Sequence, residues 1–159
     1  MVNKPKAIGT TCESAVVKLA RLSGFPHAER VPLHGATDLG DVRLTPGLTA
    51  GVIVEVKGGK AAETASDGQI WEWLVETQRE ALAAGADVGM LVTKRAGYAA
   101  ARAEHWWAHW TLGTMPRLGD FYYAELVSYA PVRMVLRDAL TLLRTVGYGE
   151  PLAELEDVA

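Results

Sequence analysis

The residues with the clearest chemical potential are two carboxylates and a lysine in the first half of the 159-residue chain. Asp41 is followed fourteen positions later by Glu55, and Lys57 stands two residues beyond Glu55. Alternate residues of a strand share one face, so Glu55 and Lys57 are expected on the same side of a strand over residues 51–57. Charged groups on an otherwise apolar strand are costly to bury, which indicates that they serve a site.

The chemistry that this group predicts is metal-assisted hydrolysis of a phosphodiester. Asp41 begins the preceding predicted strand, and a turn around Gly47 can bring its carboxylate beside that of Glu55. Converging carboxylates repel each other, and a hard divalent cation relieves the repulsion. Oxygen ligands and a nearby lysine favour Mg²⁺ over zinc, with Mn²⁺ as a substitute. Lys57 is expected to orient or deprotonate the attacking water and to offset charge on the phosphate.

Four short segments in a fixed order favour this interpretation over a chance surface ion pair between Glu55 and Lys57. They are Gly9 to Glu13, Gly24 to Arg30, Gly35 to Val42 and Ile53 to Lys57. Together these segments resemble the PD-(D/E)xK nuclease superfamily, and within it the archaeal-type Holliday junction resolvases and their bacterial and phage relatives. The resemblance covers about residues 7–95.

The resemblance implies catalytic roles for four residues. Asp41 matches the acid at the start of the second strand, and Glu55 and Lys57 match the acid and the lysine of the third. Glu13 falls where the family has a helix carboxylate that completes the metal site, so the implied metal ligands are Asp41, Glu55 and Glu13. The chain departs from the literal motif at Gly40, where the family has proline.

Residues around this predicted centre are candidates for contact with DNA. Asp38 is also a rival to Asp41 as the loop acid, although the spacing from Asp41 to Glu55 suits a tight hairpin better. Gln78 falls on the following helix, where many relatives place a polar residue that faces the site. Phosphate contacts are predicted for three basic residues: Lys60, Lys94 and Arg95. The alternative for each of these polar and basic residues is an ordinary solvated side chain.

The apolar pattern predicts an α/β domain in which helices flank a mixed β-sheet. The resemblance implies that this arrangement is restriction-endonuclease-like. Predicted helices cover 10–24, 67–84, 98–110 and 136–146, and predicted strands cover 30–33, 41–44, 51–57, 88–93, 121–127 and 132–135.

The length of the chain suits one domain, expected over residues 1–149. Residues 1–9 are expected to form a flexible basic arm, and residues 150–159 an acidic mobile tail. The formal net charge of the chain is −3, and the predicted tail holds four acids and no base. The remainder carries 16 basic and 15 acidic residues, so charge neither supports nor excludes a nucleic-acid partner.

The composition favours a cytoplasmic protein. No apolar run approaches the roughly 18 residues that span a bilayer. The basic start is not followed by the apolar stretch of a signal peptide. The single cysteine, Cys12, cannot form an internal disulfide, which is typical of a reducing compartment.

Two other sequence patterns are weaker indications of a functional site. His105 and His109 are four residues apart on the predicted tryptophan-rich helix over 98–110, a spacing that zinc ligands use. No third ligand accompanies them, so packing or an interface is the favoured interpretation. The segment Gly58 to Lys60 fails as a phosphate-binding loop because Ala61 replaces the required Ser or Thr.

The expected function is a Mg²⁺-dependent endonuclease that cleaves branched DNA and acts as a homodimer. A dimer would match the near two-fold symmetry of a four-way junction. The tryptophan-rich helix and the segment 121–123 are candidates for the dimer contacts. Two alternatives stay open: a nuclease of the same fold with a restriction or repair substrate, and a non-catalytic DNA-binding protein of that fold.

Overall fold

In the part of the chain that a computed structural model describes, six β-strands lie side by side in chain order and form a central sheet. The structure describes residues 4–32, 39–46, 51–115 and 129–152, with side chains from residue 7 onward. The strands β1 to β6 are Glu29–Arg30, Val42–Arg43, Val52–Lys57, Val88–Thr93, Trp107–Thr111 and Pro131–Val135. The β3–β4 pair is parallel, and the other four pairs are antiparallel.

Helices cover both faces of this sheet. They are α1 (Lys4–Leu22), α2 (Gly59–Glu63), α3 (Asp67–Ala83) and α4 (Leu136–Thr145). Two short 3₁₀ segments, Ala100–His105 and Leu112–Thr114, flank β5. Helices α1 and α4 pack on one face, and α3 packs on the other. The fold is therefore a mixed α/β sheet with flanking helices, which confirms the fold class expected from the apolar pattern.

The main core lies between the sheet and the pair α1 and α4. Alternation along the strands sends every second side chain into it, as the period of two requires. The core residues that the strands contribute include Val54, Val92, Ala108 and Trp110, all with no exposed surface. Helices α1 and α4 contribute core residues that lie about one turn apart, among them Val16, Ala20, Leu136, Leu140 and Leu143.

Helix α3, which carries part of the candidate site, has clear signals at both ends. The Ser66 hydroxyl accepts a hydrogen bond from the Gln69 N–H at 3.2 Å and caps the first turn. Gly85, with φ of +66°, ends the helix, as its position in the sequence predicts. The helix lies so close to β4 that a side chain at Gly89 would overlap Ala81 and the Thr77 carbonyl.

The predicted helix over residues 98–110 is wrong. The chain forms the 3₁₀ segment Ala100–His105 and then strand β5. Trp106 and Trp110 have no exposed surface, and the residues between them alternate between the two faces of the sheet. Aromatic side chains pack well on the pleated surface of a sheet, and the alternation of this segment favours a strand over a helix. Because the two tryptophans fill the protein's own core, they are not available as dimer contacts.

The first helix is longer than expected. It begins at Lys4, six residues before its predicted start at Thr10, so residues 4–9 of the predicted arm are helical. At the other end, the N–H of Glu150 donates to the Gly24 carbonyl at 2.7 Å, which ties the first residue of the predicted acidic tail to the domain.

Some predictions concern residues outside the described ranges. They include the loop acid Asp38, the strand over 121–127 and the tail from residue 153 onward. Among the residues that the structure describes, no helix is long and apolar enough to cross a membrane.

Candidate active site

Strand β3 carries the predicted acid and lysine on the face that α3 covers. Glu55 is 6% exposed, and its Oε1 accepts a hydrogen bond of 2.6 Å from the Lys57 Nζ. Their neighbours Val54 and Val56 point into the main core on the opposite face. The alternation that the sequence predicts for this strand is confirmed, and it places two charged groups side by side in a largely buried position.

Asp41 reaches the same strand from the end of β2. Its N–H donates to the Val54 carbonyl at 3.1 Å, and its Oδ2 accepts from the Val56 N–H at 2.8 Å. The carboxylate therefore takes the place of a main-chain acceptor and prolongs the β2–β3 pairing by one hydrogen bond. This contact fixes the side chain beside Glu55, and the two carboxyl groups come within hydrogen-bonding reach of each other.

Gly40 explains why the chain lacks the proline of the literal motif. Its φ is +82°, whereas the proline ring fixes φ near −65°. A side chain at this position would also overlap Ile53 on the neighbouring strand. The backbone thus brings Asp41 to β3 through a left-handed residue, a conformation that glycine adopts without steric cost.

Helix α3 adds two carboxylates that the sequence analysis missed. Glu76 and Glu80 lie one turn apart, and each offers an oxygen within 4.8 Å of the others and of Glu55. We call Asp41, Glu55, Glu76 and Glu80 the carboxylate cluster. Glu80 is 4% exposed and follows Thr77 on the buried side of the helix. The signal in the sequence was an acid, Glu80, among helix residues that face the core. It could be recognised only once the position of α3 on the sheet was known.

The electrostatics of the cluster reflect crowding of like charges in a buried place. Burial, followed by the charge of Glu55, raises the pKa of Asp41 to about 7, against the stabilising N–H of Val56. Burial also raises the pKa of Glu55 to about 7, although Lys57 lowers it and Glu80 raises it further. A nearby cation would therefore stabilise the ionised forms of both acids at neutral pH.

Lys57 is the cation that the chain itself supplies. Its Nζ lies 2.6 Å from Glu55 and 3.1 Å from Glu76, and 5.9 Å from the centre of the Trp73 ring. Burial alone would lower the pKa of Lys57, but the hydrogen bonds and charges of Glu55 and Glu76 outweigh it and raise the pKa. The lysine is protonated at neutral pH in this arrangement. Its geometry suits charge stabilisation and orientation of water better than proton abstraction.

Glu13 lies beside the cluster rather than inside it. On α1, its Oε2 accepts a hydrogen bond of 2.6 Å from Arg30. Its negative charge acts on Asp41, whose pKa it helps to raise. The structure thus brings Glu13 near Asp41, as the resemblance implies, and gives it an arginine partner that the sequence did not indicate.

The remaining predicted residues are placed as follows. The amide of Gln78 donates to the Gly89 carbonyl of β4 at 3.2 Å, so it is occupied by the main chain and not directed to the cluster. Lys94 forms an ion pair with Glu63, and Lys60 is fully in solvent with its Nζ 3.9 Å from the same acid. Arg95 stacks on Tyr98 and Trp107 instead.

His105 and His109 do not form a pair. His105 lies in the 3₁₀ segment, 2.6 Å from an Arg102 guanidinium nitrogen. His109 is on β5, where its Nε2 is 2.9 Å from the Thr93 hydroxyl. Burial and then the charge of Arg133 lower the pKa of His109 to about 4. The imidazole is therefore a neutral, hydrogen-bonded part of the sheet face, as the packing interpretation predicts.

The residues of the cluster fit a hard divalent cation. Glu55 Oε2 is buried and has no hydrogen-bond partner among the described residues. A buried carboxylate oxygen without a donor is costly, and a cation would satisfy it. The donor set consists of carboxylate oxygens alone, which suits Mg²⁺ or Mn²⁺.

Comparisons of the chain with protein-family models, with curated proteins and with solved structures found no match. The interpretation of the site therefore depends on its own residues and on the resemblance carried by the four sequence segments.

Proposed function

We propose that the protein is a metal-dependent endonuclease of the PD-(D/E)xK type, with its active site at the carboxylate cluster and Lys57. The observation that carries the proposal is the convergence of Asp41, Glu55 and Lys57 from two adjacent strands. Among the residues that the structure describes, none donates a hydrogen bond to the buried Oε2 of Glu55. Maintaining three charged groups in this position costs stability, and the cost is explained if the group binds a cation and acts on a phosphate.

Asp41 and Glu55 would hold the metal, with Glu80 as a further carboxylate beside them. When bound, a divalent cation lowers the pKa of a water molecule and neutralises charge on a phosphodiester. Lys57 contributes a fixed positive charge next to Glu55, where it can bind a non-bridging phosphate oxygen and orient the attacking water. Glu13, held by Arg30, contributes negative charge that reinforces cation binding at Asp41.

The substrate that we propose is branched DNA, foremost a four-way junction, cleaved by a homodimer in the cytoplasm. The support is the resemblance of the four sequence segments to the Holliday junction resolvases. Two copies related by a two-fold axis would present two sites to the two strands that must be nicked.

The test is cleavage of an end-labelled synthetic four-way junction and of a linear duplex of the same sequence, with Mg²⁺ or with EDTA. We expect nicking only with the metal and faster on the junction. Glu55→Gln should abolish nicking while DNA binding persists. Glu72→Gln is the matched control, because Glu72 is exposed on α3 and contacts Gln69. Equal nicking by Glu55→Gln and the parent would refute the assigned site.

The preference for branched DNA and the dimer have separate tests. Light scattering at micromolar concentration should give twice the mass of the 17.1 kDa chain. A monomer with equal affinity for linear and four-way DNA would exclude the resolvase and leave a nuclease with another DNA substrate. Binding of DNA without cleavage under any divalent metal would instead support a non-catalytic protein.

A further inference from the structure

Three residues, on β5, on β6 and just after β4, form a compact cationic and aromatic unit. The guanidinium carbon of Arg95 lies 4.2 Å from the centre of the Trp107 ring, and that of Arg133 lies 4.5 Å from the same ring. We call this unit the arginine–tryptophan patch. Arg133 is exposed, and Arg95 and Trp107 are half-buried. Stacking on an indole holds a guanidinium plane in one orientation and leaves its N–H edge available to an anion.

The two arginines differ from the other basic residues near the site. Lys57, Lys60 and Lys94 each have a carboxylate within ion-pair distance. In the described part of the chain, neither Arg95 nor Arg133 has such a partner. Two cations are thus held about one aromatic ring with no described carboxylate in ion-pair distance, although Asp67 lines the same cavity as Arg133.

The register of the strands connects the patch to the candidate active site. Lys57 pairs with Thr93 on β4, and Thr93 pairs with Trp107 on β5. Paired residues share a face, so Lys57 and Trp107 lie on the same side of the sheet. Neighbouring strands are about 4.8 Å apart, which puts the two backbones about 10 Å from each other. Measured along the axis of B-form DNA, where the nucleotides of one strand rise by about 3.4 Å each, that span covers about three nucleotides.

We propose that the arginine–tryptophan patch is the substrate-positioning surface of the enzyme. Arg95 and Arg133 bind the phosphodiester backbone two to three nucleotides from the phosphate that is cut at Lys57. This inference rests on the proposed function in taking DNA as the partner. It adds residues from β5 and β6, beyond the part of the chain that the nuclease resemblance covers.

The experiment measures binding in EDTA, where metal-dependent cleavage is absent. Fluorescence anisotropy with a labelled four-way junction and a labelled duplex gives the affinity over a range of salt concentrations. The double variant Arg95→Gln/Arg133→Gln should reduce the slope of log affinity against log salt by about two, since each phosphate contact contributes about 0.9. Trp107→Leu should weaken binding with a nearly unchanged slope, because it removes the stacking support and keeps both charges.

Arg137→Gln is the matched control, since Arg137 is exposed on α4, on the other side of the sheet, and pairs with Asp138. It removes one positive charge, where the double variant removes two, and should leave the slope unchanged. A double variant that behaves like Arg137→Gln would overturn the proposal, as would a parent protein that binds neither DNA. Thermal melting of each variant verifies that it is folded. Patch-dependent binding without cleavage in Mg²⁺ would refute the nuclease assignment and leave this surface in place.

Discussion

The two faces of the sheet are built from the same strands and have opposite characters. The face toward α1 and α4 is apolar, with Val54, Val92 and Trp110 fully buried. The face toward α3 takes the intervening residues of the same strands, and beside the apolar Ile53 and Leu91 it buries polar groups. Glu55, Thr93 and His109, which lie on neighbouring strands, are each 6% exposed or less. A difference of one position along a strand thus separates an ordinary core from a row of charged and hydrogen-bonding groups.

Burial at the apolar face contributes stability, whereas the buried acids of the other face reduce it. Burial of the apolar face contributes about 25 cal/mol for each Å² removed from water. The polar face instead desolvates the acids Asp41 and Glu55, both with a raised pKa. A protein under no demand but stability would be expected to carry apolar side chains at these positions.

Lys57→Ala should reduce the rate of DNA cleavage by about 10²–10³-fold, because it removes the positive charge that stabilises the phosphate in the transition state. Binding of Mn²⁺ should persist, since the lysine is not a ligand of the cation. Single-turnover cleavage and calorimetric titration with Mn²⁺ measure the two effects separately. Loss of Mn²⁺ binding with cleavage retained would reverse the roles assigned to Lys57 and the carboxylates.

Trp110→Ala should lower the free energy of unfolding by about 3–5 kcal/mol, because it leaves a large cavity in the main core. Trp107 is the matched control on the same strand, with its side chain on the opposite face. Trp107→Ala should cost about 1 kcal/mol or less, as is usual for a partly exposed residue. Urea denaturation of both variants makes the comparison, and equal losses would remove the distinction between the faces.

The metal-free protein should lose stability as the pH rises from about 4 to 7. An acid with a raised pKa keeps its proton in the folded state after the unfolded chain has lost it. The folded state then binds more protons, and the free energy of unfolding falls as pH increases, by on the order of 1 kcal/mol per pH unit for one group. Asp41 and Glu55 both have pKa values raised to about 7.

Asp41→Asn should flatten this pH dependence when unfolding is measured in EDTA at pH 5, 6 and 7. The lowered pKa of His109 acts in the opposite direction, since the unfolded chain gains a proton on this histidine below pH 6.5. That contribution is common to the parent and the variant, so the difference between them isolates the carboxylates. Identical curves for the two proteins would contradict the crowding of Asp41 and Glu55.

Glu80→Gln should weaken Mn²⁺ binding about tenfold, equal to about 1.4 kcal/mol, because it removes one buried charge from the carboxylate cluster. Glu72→Gln should have no effect, since Glu72 lies two turns earlier on α3 and is exposed. Calorimetry on both variants distinguishes a specific contribution of Glu80 from the general negative charge of the helix. Equal weakening by the two substitutions would remove Glu80 from the site.

The sequence predicted those features that depend on local rules. The period of two identified the face that Glu55 and Lys57 share, and the cap at Ser66 and the stop at Gly85 agree with the expected extent of α3. The place of Asp41 beside Glu55 followed from a tight connection between adjacent strands. Each of these inferences needs only the geometry of a strand, a turn or a helix end.

Features that depend on how elements pack were missed. Glu76 and Glu80 join the site only because α3 lies across β3 and β4, which no spacing within the helix reveals. The segment of strand β5 was predicted to be helical because tryptophans at 106, 107 and 110 fit the apolar stripe of a helix as well as the alternation of a strand. The contact between Trp107 and Arg133 joins β5 to β6, and nothing in the sequence around either residue indicates it.

The left-handed backbone at Gly40 also constrains how this sequence can change over generations. A proline there would need a reversed φ, and any larger residue would collide with Ile53. The literal proline–aspartate motif is therefore not one substitution away, because residue 53 and the approach to β2 would have to change in the same step.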